Sequence, residues 1–374
     1  MFDRRLIQNF DWVLLLLLLF IATISIINLY SATYAIRNAG GAQVFTKQIY
    51  WFSIGFIVLF IMTSFNYYRL ERFANAFYFL SIALLILVLI AGKVTSGSQR
   101  WLGFGPISFQ PSELAKISVV MVLARFFSEE GGYREYRLRD LGRPFILIGI
   151  PTLLILKEPD LGTAILVVVV SASIILFVKI NRKSLLIIVL TALSVAPFIW
   201  LNLKEYQQKR IMTFIRPDKD LFGAGYHIHQ SKIAIGSGQV WGKGFLKGTQ
   251  TKLHFLPEQH TDFAMSVLAE EWGFIGAALL LCLYLLLILW GLNIAKDSKD
   301  KFGSITAIGI VAFIFWQVVI NVGMVTGLLP VVGIPLLLFS YGGSSLISTM
   351  AAMGLLMNIS MRRFMFQGSY IPKK

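Results

Sequence analysis

Residues 12–31 read Trp-Val-Leu-Leu-Leu-Leu-Leu-Leu-Phe-Ile-Ala-Thr-Ile-Ser-Ile-Ile-Asn-Leu-Tyr-Ser. This run is apolar on every helical face, and a bilayer core of ~30 Å takes about 20 helical residues to cross. It is too long for the apolar core of a signal peptide, and no small-x-small cleavage site follows, so it reads as a retained anchor. Working outward, the same character recurs at about 49–66, 74–94, 112–127, 144–157, 161–178, 184–203, 263–293, 305–328 and 335–359. The whole chain agrees with these spans. Of its 374 residues, 56% are apolar and only 14% charged, whereas a soluble domain carries about 25% charged residues. So little charge cannot coat a water-soluble surface, and so much apolar content excludes disorder. The expectation is an all-α polytopic membrane protein with ten transmembrane helices, residues 1–374 forming a single integral membrane domain.

The net charge of +15 would point to nucleic acid in a soluble protein. Here its placement gives a different cause. With the N-terminus cytoplasmic, nineteen of the 34 basic residues fall in inner segments and five in short outer loops. That is the bias of the positive-inside rule, so no nucleic-acid partner is implied. Both termini are then cytoplasmic, and the long segment 204–262, between the seventh and eighth spans, faces outward. The single cysteine, Cys282, excludes an intramolecular disulfide and a cysteine-based zinc cluster.

The outer segment holds all four histidines and seven glycines of the stretch 223–248. Its interspersed aromatics argue for order and for short helices lying on the membrane. The glycines do not spell a phosphate-binding loop, since Gly238–Gly244 reads GQVWGKG. They read as tight turns, although turns admitting a polar ligand would look identical. His227-x-His229 reads as an interfacial pair more readily than as a metal site. The segment ends on Leu256-Pro-Glu-Gln-His-Thr-Asp-Phe263, which places Asp262 in the first turn of the eighth span. A carboxylate there can simply favour the helix dipole. Glu270 follows on nearly the same helical face, however, with Glu271 beside it. Three acids at a membrane boundary exceed what a cap requires.

Polar groups also enter the bundle elsewhere. Glu113 and Lys116, spaced i and i+3 in the fourth span, are placed to pair. They can act as a packing ion pair or as the lining of a polar cavity. Lys157-Glu-Pro-Asp160 makes the tight outer turn between spans five and six, with Asp160 able to reach back along the next helix. Ser340-Tyr-Gly-Gly-Ser-Ser345 interrupts the tenth span, either as a helix break facing a cavity or as a site of close helix packing. Gln317, Asn321 and Thr326 make the ninth span unusually polar. Two function classes fit these residues: an enzyme acting on a lipid-linked polar substrate at the outer leaflet, and a transporter for an amphiphile.

Taken together, Gln99-Arg-Trp101, Gln110-Pro-Ser-Glu-Leu-Ala-Lys116, Glu158-Pro-Asp-Leu-Gly-Thr-Ala164, the glycine-rich Gly236–Thr249, Leu256–Phe263 with Ala269-Glu-Glu-Trp-Gly273, and Ser340–Ser345 resemble the SEDS family (shape, elongation, division and sporulation). The resemblance covers essentially the full length and is most like the rod-shape-determining branch. It implies a peptidoglycan glycosyltransferase that polymerises lipid II into glycan during cell elongation, in the bacterial inner membrane with its active site on the extracytoplasmic side. It implies Asp262 as the essential acid, with Glu113 and Lys116 as the family's polar pair and Asp160 as the acid of the Pro-Asp-Leu-Gly motif.

On that footing Asp262 is the expected general base, acting with anomeric inversion. Arg100, Arg210, Arg216 and Lys243 are the cations available to the departing pyrophosphate. A divalent cation (Mg or Mn) could share that task, although the sequence shows no dedicated cage. The implied partners are a class B penicillin-binding protein and other membrane proteins of the elongation complex. The competing expectations are a lipid II flippase and a non-catalytic scaffold for the crosslinking enzyme.

Overall fold

The computed structural model describes residues 8–34, 40–95, 98–104, 107–130, 135–202, 205–215, 223–253, 255–256 and 258–363. Helices stand at each of the ten expected segments: α1 (Trp12–Tyr34), α2 (Gly41–Ser64), α3 (Tyr67–Ala91), α4 (Pro111–Glu129), α5 (Gly142–Lys157), α6 (Leu161–Phe177) and α7 (Arg182–Asn202) come before the long segment 204–262. That segment contains three short helices, α8 (Glu205–Ile215), α9 (Ala224–Gly238) and α10 (Thr249–Lys252). The chain then completes α11 (Ala264–Asp297), α12 (Lys301–Thr326) and α13 (Gly343–Arg362). Six of them (α1, α2, α3, α11, α12 and α13) are long and apolar enough to cross a membrane.

The helix starts follow local chemistry. The Asn66 side chain accepts from Tyr68 N at 3.1 Å and caps α3. Pro111 occupies the first turn of α4, where its missing N–H costs nothing. The Asp300 carboxylate accepts from Gly303 N at 2.9 Å and starts α12. Helices α4, α12 and α13 form the interior; α13 lies against α2, α11 against α12, and α3 against α4. The outer helices turn large apolar side chains outward, including Phe79, Ile90 and Phe274. This is the arrangement a lipid solvent permits.

Three expectations need correction. Residues 93–109, which fall almost wholly between the expected spans 74–94 and 112–127, fold into a three-stranded antiparallel sheet of β1 (Lys93–Thr95), β2 (Ser98–Phe104) and β3 (Ile107–Phe109). Two of its strands have three residues each, too few to show an alternating pattern in sequence. The tenth helix starts at Gly343 rather than at 335, and residues 327–342 run without a helix. Gly327, at φ 74°, ends α12 in the left-handed region. Finally, Asp262 lies in the turn before α11, not in its first turn, because helical structure begins at Ala264.

Candidate active site

A cavity of about 980 Å³ opens at the end of the bundle where α4 and α6 begin. It gathers Arg100 from β2, Glu113 and Lys116 from α4, Asp160 from the α5–α6 turn, Arg210 from α8, and Asp262. Six of the candidate residues, from five separate places in the sequence, thus line one cavity. Lys243 does not line it. Arg216 lies outside the described residues. The cavity also takes in Lys209 and Glu258. Their signal in the sequence was proximity alone, Lys209 beside Arg210 and Glu258 one helical turn before Asp262.

The turn carrying Asp262 is tied on several sides. Asn321 Nδ2 on α12 donates to the Asp262 carbonyl at 3.0 Å and to the Ile334 carbonyl at 2.8 Å. Gln317 Nε2, one turn earlier, donates to the Pro335 carbonyl at 2.8 Å. The polarity of α12 therefore serves the non-helical stretch after it. Tyr341 N donates to the His260 carbonyl at 2.9 Å, and Gln259 Nε2 reaches the Ala32 carbonyl on α1 at 2.8 Å. Backbone held this way leaves the Asp262 carboxylate half-buried on the cavity wall. It accepts no hydrogen bond from the described residues, so its oxygens are available to a ligand. Burial first, then the Glu258 carboxylate, pushes its pKa up to about 6, against the pull of Arg100 and Arg210.

Glu113, Lys116, Asp160 and Arg100 are partnered. Lys116 Nζ donates to Glu113 Oε1 at 2.8 Å, and Ser348 Oγ on α13 donates to the other carboxylate oxygen at 2.8 Å. The Lys116 ammonium also lies 4.8 Å from the centre of the Phe313 ring. Asp160 caps α6 through Thr163 N at 3.1 Å, and accepts from Thr163 Oγ1 at 2.9 Å and Gln110 Nε2 at 3.0 Å. Arg100 stands 3.6 Å from the same carboxylate. Two residues before Asp160, Glu158 is fully buried, and neither of its oxygens has a hydrogen-bond partner among the described residues. Burial first, then Asp160, pushes its pKa up to about 8. Such a group holds its proton at neutral pH.

Glu270 does not join Asp262. Its Oε1 accepts from Lys243 Nζ at 2.7 Å, Thr249 N at 2.7 Å and Gln250 N at 3.0 Å. It binds the segment 243–250 to α11, and this engagement takes Lys243 away from the cavity. The stretch 239–244 closes a break in α11 at Gly273, whose φ is 66°. Lys243 N and Gly244 N donate to the carbonyls of Glu270 and Glu271, and Phe274 N and Ile275 N donate to those of Gln239 and Val240, all within 2.8–3.2 Å. At Gly242, φ 78°, a Cβ would run into the Glu271 carbonyl, so the close approach requires glycine. The Gly-Gly at 342–343 combines the two roles left open by the sequence. The helix of α13 starts there, and Gly343 packs against the Trp51 ring.

Among the described residues, no three His, Cys, Asp or Glu side chains converge in a metal-holding group. Of the cavity acids, Glu113 is paired with Lys116 and Asp160 with Thr163 and Gln110, while the Glu258 carboxylate acts on Asp262.

A family model described as a cell cycle protein, of the FtsW, RodA and SpoVE type, matches residues 9–364. The chain belongs to this family. It is the SEDS family that the sequence motifs resemble. The peptidoglycan glycosyltransferase MrdB of Escherichia coli strain K12 is 42% identical to this SEDS protein, over 91% of this chain and 92% of its own. The peptidoglycan glycosyltransferase RodA of Treponema pallidum is 31% identical over 96% and 99%. Among solved structures, the rod-shape-determining protein RodA of Thermus thermophilus superposes with a TM-score of 0.71 at 30% identity, covering 95% of this chain and 98% of that one. A chain from a peptidoglycan synthase complex, solved for its coordination of polymerisation and crosslinking, superposes with a TM-score of 0.82 at 30% identity, covering 96% and 99%. With these relatives and its apolar helices, this SEDS protein is a multi-pass membrane protein.

Proposed function

We propose that this SEDS protein is a peptidoglycan glycosyltransferase of cell elongation, polymerising lipid II with Asp262 as general base. The observation that carries the reading is the placement of Asp262. Its carboxylate has free oxygens and a pKa raised to about 6, and it faces a cavity that also holds Arg100 and Arg210. A base needs a pKa near the working pH and room for the proton's donor. Asp262 takes the proton of the 4-hydroxyl on the acceptor's terminal GlcNAc. That oxygen attacks the anomeric carbon of the donor MurNAc. The bond from this carbon to the pyrophosphate oxygen breaks, and undecaprenyl pyrophosphate leaves with the electron pair. One displacement on an α-linked donor gives a β-linked glycan.

Arg100 and Arg210 are the cations nearest the base's field, and a guanidinium matches phosphate oxygens in a two-pronged fork. Lys209 is a further cation on the same wall. Lys243 is assigned to the fold of the outer segment instead. Glu113 and Lys116 organise the cavity through their own pair. The supporting frame is ten spans with both ends cytoplasmic, one membrane domain, and the cavity open on the outer side of the bacterial inner membrane. The solved synthase complex, which couples polymerisation to crosslinking, supports a class B penicillin-binding protein as partner; other membrane proteins of the elongation complex are proposed on the family resemblance alone.

The experiment is polymerisation of labelled lipid II by the purified protein, with and without the cognate penicillin-binding protein. Wild type is expected to build glycan chains, and Asp262→Asn none, at unchanged helicity. Full activity in that variant refutes the assignment of the base. Lipid translocation across liposomes without chain growth would identify a flippase, and wall synthesis that dispenses with Asp262 would identify a scaffold.

A further inference from the structure

The end of the bundle opposite Asp262 carries a second concavity, of about 330 Å³, between α3, α4 and α5. Along α4 it lies at Arg125 and Glu129, twelve and sixteen residues past Glu113. At 1.5 Å per residue this is about 18–24 Å from the catalytic cavity. One wall is apolar and open to the surroundings of the bundle: Phe79 and Ile146 are 67% and 60% exposed, with Phe126 beside them. The other wall is charged. Arg125 Nε donates to Glu129 Oε1 at 2.8 Å, and its Nη1 to the Arg72 carbonyl at 2.9 Å. Those bonds hold the guanidinium in place and neutralise most of its charge. Arg143, in the first turn of α5, is exposed and has no hydrogen bond or ion pair with any described residue. Among the side chains that line the pocket, one positive charge is therefore left unmatched, next to a strip of apolar surface.

We propose that this pocket binds an anionic phospholipid of the inner leaflet, its phosphate on Arg143 and Arg125 and its acyl chains along Phe79, Phe126 and Ile146. Charge complementarity favours this occupant. Two arginines and one glutamate leave a net charge of +1, which a headgroup carrying one negative charge cancels. Basic pockets between transmembrane helices on the cytoplasmic side are the usual seat of anionic headgroups. A neutral zwitterionic lipid leaves Arg143 uncompensated, and a free phosphate leaves the apolar wall uncovered.

The test is native mass spectrometry of the full-length protein in micelles, with equal amounts of phosphatidylglycerol, phosphatidylethanolamine and phosphatidylcholine. Wild type is expected to retain phosphatidylglycerol in preference to the other two. Arg143→Gln is expected to weaken that retention about fivefold, the effect of one basic side chain at an anionic headgroup. Ile146→Glu, which places a carboxylate in the groove, is expected to abolish it. Lys183→Gln, a basic residue outside the pocket, should change nothing, and lipid II polymerisation in a fixed lipid should be equal in all four proteins. Arg143 is exposed, so its replacement leaves the fold intact, which circular dichroism verifies. Equal retention of the three lipids, or of phosphatidylglycerol by wild type and Arg143→Gln, overturns the proposal. Displacement of the lipid by glycerol 3-phosphate at matched concentration overturns the acyl-chain part.

Discussion

Reversing either member of the Glu113–Lys116 pair tests whether the cavity is built around that pair. Both side chains are almost wholly buried, 6% and 5% exposed, with Nζ 2.8 Å from Oε1. Stranding one buried charge costs about 3–5 kcal/mol, so Glu113→Lys and Lys116→Glu are each expected to lose that much. If the sites were independent, the double variant would lose about 6–10 kcal/mol. It should instead rebuild the pair in reverse. What it forfeits is the charge-assisted bond from Ser348, worth about 1.5–3 kcal/mol, and the ammonium's place at the Phe313 ring, worth about 0.5–2 kcal/mol. The double variant is therefore expected to lose about 2–5 kcal/mol, a coupling of at least about 1 kcal/mol. Unfolding of the four proteins in one detergent, followed by circular dichroism, measures it, and lipid II polymerisation should recover in step. Losses that add to within about 0.5 kcal/mol would refute the reasoning and make the two side chains separate substrate contacts.

The general-base assignment predicts that kcat/KM falls about tenfold per pH unit below about 6 and levels off above it, because Asp262 must be ionised to act. Glu258→Gln removes a carboxylate that raises this pKa, so its acid limb should move to lower pH; a flat profile from pH 5 to 8 contradicts the assignment. Glu158 bears on stability with the opposite sign to a paired carboxylate. Its pKa rises from 4.5 to about 8 on folding, so native stability should fall as pH climbs through that window and stay low above it. Glu158→Gln should then match wild type near pH 4 and exceed it at pH 9 by a margin on the order of 5 kcal/mol, read from melting temperatures in detergent. Glu270→Ala removes the acceptor of Lys243, Thr249 and Gln250 and should speed proteolytic cutting within 239–253 severalfold, which gel densitometry would follow.

Where the ten helices lie was legible in the sequence because a helix in lipid must be apolar over a fixed length, a constraint visible without any tertiary information. The membership of the cavity was legible mostly through motif resemblance. Composition could not bring Arg100, Glu113, Asp160 and Asp262 to one wall, since their spacing along the chain says nothing of their separation in space. Lys243 and Glu270 show the limit clearly. Each looked available for chemistry, but a lysine and a buried carboxylate with several nearby donors find each other first. The start of α13 escaped because Pro335-Leu-Leu-Leu-Phe339 has the composition of a span. Its backbone is instead held open by side chains from other helices, Asn321, Gln317 and Ser25, the last donating to the Phe339 carbonyl at 2.7 Å.

A helix broken at glycine is ordinarily a hinge, and α11 is broken at Gly273. Here the amides and carbonyls freed on either side of the break are taken up by 239–244, which acts as a splint across a fracture. The short piece that begins just after Asp262 and the long apolar shaft to Asp297 therefore move as one body. Under the proposed assignment of Asp262 as base, the height of its carboxylate above the mid-plane of the bilayer is set by a strut rather than by local thinning or thickening of the lipid. The proposed polyprenyl-linked substrate would have to rise to that fixed level to react. The rate should accordingly depend on the thickness of the membrane around the protein, because such a substrate floats with the lipid while Asp262 does not.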